Sequence, residues 1–104
     1  MTRLDQLLQL FQDDKNDPFI AYGIALEYLK TDAYKANEWF TTLLNNFPDY
    51  LPTYYHAAHF FAEQNNPDKA IDTFEKGILL AQKQGNLKTL AELKNALLNL
   101  ELDL

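Results

Sequence analysis

Apolar residues recur along this chain at spacings of three and four, and nowhere do they alternate with polar ones over a sustained stretch. Such spacing gathers apolar side chains on one face of a helix, whereas a half-buried strand needs a period of two. Ala21, Ile24, Ala25 and Tyr28 show it, and Tyr54, Ala57, Ala58 and Phe61 show it again. Breaks fall at Asn16-Asp17-Pro18, Thr31-Asp32, Phe47-Pro48-Asp49, Asn65-Asn66-Pro67 and Gly85-Asn86. Proline is tolerated in the first turn of a helix but not in its interior, and Asn or Asp before it caps free backbone N–H groups. The pattern predicts six helices, near 2–13, 18–30, 33–46, 51–64, 67–84 and 87–102. Short connections make successive helices antiparallel neighbours.

The chain also repeats itself. Lys35-Ala36 returns as Lys69-Ala70 and Phe40 as Phe74, each thirty-four positions on. Ala21, Ile24, Ala25 and Tyr28 return as Tyr54, Ala57, Ala58 and Phe61, each thirty-three positions on. Leu7, Leu10 and Phe11 stand at the same shorter offset before Phe40, Leu43 and Leu44, so the first helix reads as the second half of a unit. The physical reason is the same in each copy. Ala25, Ala58, Ala36 and Ala70 let two helices approach closely, and Tyr28, Phe40, Phe61 and Phe74 fill the space between pairs. One pair cannot bury its apolar face alone, so units stack.

A period near 34 with these small and aromatic positions resembles the tetratricopeptide repeat. The first helix of each pair reads A-x-x-I-A-x-x-Y and Y-x-x-A-A-x-x-F, and the second reads A-x-x-x-F at Ala36–Phe40 and Ala70–Phe74. The closing proline of the family is present as Pro48 and replaced by Gln82 in the second copy. The leading tryptophan is absent, and Ala25 and Ala58 stand where the family carries glycine. The resemblance implies an all-α fold, an α-α repeat stack forming a fragment of a right-handed superhelix. It implies a single domain over 1–104, with a half-repeat or capping helix over 1–16, repeats over 18–50 and 51–84, and a capping helix over 86–104.

The resemblance also places the first helix of each pair on a concave inner side. Phe19, Tyr22, Leu26 and Lys30, with Tyr55, His56, His59 and Glu63, are then expected to line a partner-binding groove. Some family members grip a C-terminal carboxylate with groove-facing Lys, Arg and Asn. Here Tyr22, Leu26, His56 and His59 occupy those places, so an apolar or aromatic-bearing segment fits better than a carboxylate. The competing reading is that these residues only pack against the closing helix.

Composition narrows the chemistry. The 104 residues are 47% hydrophobic, enough for a core in one domain, and carry a formal charge of −6 from nine basic and fifteen acidic residues. That field repels phosphate backbones, so nucleic acid is not expected, and it favours a basic partner. The chain contains neither cysteine nor serine, which removes disulfides, thiolate nucleophiles and a serine triad. It shows no glycine-rich phosphate loop and no H-E-x-x-H. No apolar run approaches the ~20 residues of a membrane helix, and the start lacks the pattern of a secretion signal. The expectation is a cytoplasmic protein, not an enzyme, with no membrane partner and no cofactor.

Two stretches invite sharper readings. In YYHAAH, residues 54–59, His56 and His59 lie three apart and could form half of a metal site. Zinc needs three or four protein ligands, and only carboxylates such as Glu63 or Glu27 would complete the set. No metal is therefore expected; recognition, with affinity sensitive to pH near neutrality, is the better use of the pair. The last helix packs eight leucines into residues 87–104. Leu87, Ala91, Leu98 and Leu102 form one side, and Leu90, Leu93, Leu97, Leu100 and Leu104 an adjacent one. The second set is the candidate for self-association as a homodimer; the competing reading lodges this helix between its neighbours.

The expected function is a non-enzymatic protein–protein interaction module that binds a peptide or partner helix, basic or apolar, in its groove. The alternatives are a structural protein dimerising through the C-terminal leucines and, last, a small His-based metalloprotein.

Overall fold

Each predicted break is a physical stop in the computed structural model, which describes residues 1–104. Six helices follow in order: α1 (Arg3–Asp13), α2 (Pro18–Leu29), α3 (Ala33–Asn46), α4 (Pro52–Glu63), α5 (Pro67–Gln84) and α6 (Leu87–Leu102). Thr2 and Asp5 form a reciprocal capping box at α1, and the side chains of Asp17, Asp32, Asn66 and Asn86 accept N–H bonds at the starts of α2, α3, α5 and α6. No helix is long and apolar enough to cross a membrane. The chain divides into two compact units, Met1–Tyr50 and Leu51–Leu104.

In the first unit α2 packs against both α1 and α3. Ala21, Ile24 and Ala25 of α2 and Ala36, Phe40 and Leu43 of α3 are buried. No residue of α1 is fully buried. It meets α2 where Gly23 leaves room: a Cβ there would stand 3.4 Å from Cδ1 of Leu7. Phe11 meets Trp39 edge to face at 5.0 Å between ring centres, and Glu27 accepts Lys30 at 2.7 Å with Arg3 at 3.8 Å.

In the second unit α5 packs against both α4 and α6. The α4 helix buries Tyr54, Ala57, Ala58, Phe60 and Phe61, and α5 buries Ala70, Phe74, Gly77 and Ala81. Burying a side chain such as Phe74 is worth about 1.5–3 kcal/mol. Both turns use left-handed residues. Asn65 takes φ 61° after α4, and Asn66 N–H reaches back to Phe61 O at 3.0 Å. Gly85 takes φ 69° after α5, and Asn86 N–H reaches Ala81 O at 2.9 Å. Asn and Gly are the residues that bear this conformation at least cost.

The C-terminal helix requires a correction. Leu93, expected among the self-association leucines, has no exposed surface at all. It packs over Gly77, its Cδ1 3.1 Å from where a Cβ would stand there. Leu90, Leu97 and Leu100 are half-buried within the same unit, and only Leu104 of that set is exposed. The leucines left to solvent are Leu87, Leu98 and Leu102, on the other side. Helical spacing groups the leucines correctly, but it cannot say which group meets α5.

Candidate functional site

The second unit contains an open cavity of about 440 Å³. Its α4 wall is Tyr55, His59 and Ala62, and Phe74 of α5 closes the base. The opposite wall is α6 with its C-terminal cap, where Glu92, Asn95, Asn99 and the capping residue Asp103 recur at steps of three and four beside Ala96 and Leu100. One side is thus aromatic and the other carries two carboxylates and two amides. The rings form a chain: Tyr55 lies 4.5 Å from His59, and His59 meets Phe74 edge-on at 5.5 Å. Nε2 of His59 is buried and has no hydrogen-bond partner in the protein.

The eight expected groove residues divide unequally. Tyr55 and His59 line the cavity. His56 is half-buried next to Tyr55, at 5.6 Å, and does not line it. Burial, and then the proximity of His59, make His56 harder to protonate than an ordinary histidine. Glu63 is exposed beyond the cavity. In the first unit Phe19 is 69% exposed and Leu26 half-buried. Tyr22 meets Tyr50 edge-on at 5.7 Å. Burial and the Tyr50 phenol push the Tyr22 hydroxyl above the usual tyrosine range; burial and the Asp17 carboxylate do the same to Tyr50. Both phenols therefore stay neutral at physiological pH and keep an O–H that can donate. Lys30 is exposed and held by Glu27.

No group of three or more His, Asp or Glu side chains is arranged to hold a metal ion. The histidine pair splits instead, with His59 on the cavity and His56 off it.

Sequence reasoning missed the α6 wall. Its signal was present as the stripe Glu92, Asn95, Asn99, Asp103, but the leucines on the same helix dominate the pattern.

A tetratricopeptide repeat domain protein from Salinibacter ruber, solved by solution NMR, matches with a TM-score of 0.80 and 42% identity, over 85% of this chain and 90% of that one. This chain belongs to the tetratricopeptide repeat family. A crystal structure of the tetratricopeptide repeat domain protein from the same organism matches with a TM-score of 0.78 and 41% identity, over 82% of this chain and 97% of that one. No protein-family model matches the chain, and no curated protein does. Membership accounts for the recurrence of A-x-x-x-F in α3 and α5, and it makes a helical protein-interaction module the class of molecule. The tetratricopeptide hairpin α4–α5, with α6 beside it, is what shapes the cavity.

Proposed function

We propose that the protein is a non-enzymatic interaction module that receives a peptide or partner helix in the α4–α5–α6 cavity. The observation that carries this reading is the pairing of an aromatic wall, Tyr55 and His59, with a polar α6 wall across an open volume of about 440 Å³. Recognition sites combine an apolar bed with a few placed polar groups in this way, and volumes of about 300–1,000 Å³ are typical. Tyr55 offers rigid area with a polar tip, the property that enriches tyrosine at interfaces. In the first unit the exposed Phe19 and the half-buried Tyr22 offer further contact surface for the same role.

The test is a selection of random peptides displayed on phage against the full chain, followed by fluorescence polarisation with the selected peptides. Tyr55→Ala, or Asn99→Trp placed to fill the cavity from an exposed position, is expected to weaken binding about tenfold or more, as truncating an interface anchor does. Peptides that bind both variants as tightly as the unaltered protein would remove the cavity from the account.

A further inference from the structure

The charge of the cavity is one-sided. The groups that can titrate along its lining are Tyr55, His59, Glu92 and Asp103; no lysine or arginine lines it. Lys88 stands one turn before Glu92 on α6 but makes no ion pair with it, and no cation of the chain engages either Glu92 or Asp103. Both carboxylates are exposed and solvated, not spent on holding the fold. Between them Asn95 and Asn99 carry side-chain amides, whose oxygens can accept N–H bonds. Facing this wall are the rings of Tyr55 and His59, with Phe74 at the base and Ala62 and Ala96 beside them on the two walls.

A side chain matched to such a site has an apolar stem, a flat or compact cationic head and several N–H donors. Long basic side chains bury their methylenes along apolar surface while the head stays with polar groups. A cation set over an aromatic face is attracted by the ring, and the same unit already does this once: Nζ of Lys69 lies 4.3 Å from the ring centre of Phe61. Arginine suits the cavity better than lysine. Its planar fork of five donors can meet carboxylate and amide oxygens together and still stack on a ring.

We propose that the α4–α5–α6 cavity is selective for a basic side chain, arginine above all, carried by the partner segment. This rests on the reading that the cavity receives a partner at all. The selection is moderate in size because the carboxylates are exposed. Exposed ion pairs contribute little individually and are screened by salt, so neutralising both is expected to cost about three- to tenfold in affinity.

The experiment titrates the full ¹⁵N-labelled chain with N-acetyl-arginine methylamide and with its neutral isostere, N-acetyl-citrulline methylamide, following amide signals by NMR. The arginine probe is expected to shift Tyr55, Ala62, Asn95 and Asn99 saturably, with the citrulline probe about three- to tenfold weaker. In the double variant Glu92→Gln, Asp103→Asn, with folding checked by its own spectrum, that difference is expected to vanish. Equal binding of the two probes overturns the selectivity and leaves the partner-binding reading standing. Shifts scattered over the acidic surface, or none, overturn the selectivity as well. The partner-binding reading falls separately, if phage-selected peptides ignore Tyr55→Ala and Asn99→Trp.

Discussion

A Cβ built on Gly77 would lie 2.7 Å from Cβ of Tyr54, closer than real Cβ contacts come. The α5 helix therefore crosses α4 at a point that only glycine permits, and the neighbour is the root of a side chain, not a flexible tip. At the equivalent places of the first hairpin, one repeat earlier in the chain, Ala21 stands for Tyr54 and Leu43 for Gly77. The two hairpins thus carry opposite sizes at these repeat positions, small then large in one and large then small in the other. Close packing requires this exchange, because interiors leave few gaps.

Gly77→Ala is accordingly expected to destabilise the protein. Alanine improves helix propensity by up to about 1 kcal/mol, but overpacking costs about 1–3 kcal/mol. Urea unfolding should show a lower midpoint with an unchanged slope. A midpoint that rises would mean that the crossing has slack.

Leu93 and Leu98 are five positions apart on α6 and are expected to behave oppositely. Leu93 has 0% exposure, so Leu93→Ala should lose about 2–5 kcal/mol through the cavity it leaves. Leu98 is 54% exposed, so Leu98→Ala should fall within about 0.5 kcal/mol of the parent. Equal losses in thermal melts of the two variants would contradict the observed orientation of α6.

Thr53 offers the reverse kind of change. It is fully buried, and its Oγ1 has no hydrogen-bond partner in the protein. An unmatched buried hydroxyl costs about 1–3 kcal/mol, and valine has nearly the same shape without it. Thr53→Val is expected to raise stability by about 1 kcal/mol, seen as a higher melting temperature. A loss in place of a gain would show that the hydroxyl is used.

His56 predicts a pH dependence. Burial, with His59 beside it, lowers its affinity for a proton in the folded chain below that of an ordinary histidine, whose pKa is 6.5. The unfolded chain then binds the proton first as pH falls, so stability is whole above about 6.5 and declines below it. Urea midpoints at pH 7.5 and 5.5 should separate for the parent chain and converge in part for His56→Gln. An identical separation in both would assign the decline to other groups.

How much of this was legible beforehand differs from element to element. The stops at Asp17-Pro18, Asn66-Pro67 and Gly85-Asn86 act through local backbone chemistry, so they could be read from neighbouring residues, and the helices begin and end there. The recurrence of Ala36–Phe40 as Ala70–Phe74 carried the repeat, because each copy must satisfy the same packing geometry. The site was less legible. Tyr55, His56 and His59 share one short stretch, yet only Tyr55 and His59 reach the cavity.

The sequence by itself determined the helices, their order and the tetratricopeptide repeat, since capping, proline sterics and helical periodicity are local and act within a few residues. Only the tertiary structure decided which leucines of α6 face inward and that Glu92, Asn95, Asn99 and Asp103 stand opposite Tyr55 and His59. Those facts depend on the rotation of α6 about its axis. That rotation is set by contacts with α5 such as Leu93 over Gly77, between residues sixteen positions apart in the chain. Periodicity names the faces of a helix, and packing chooses among them.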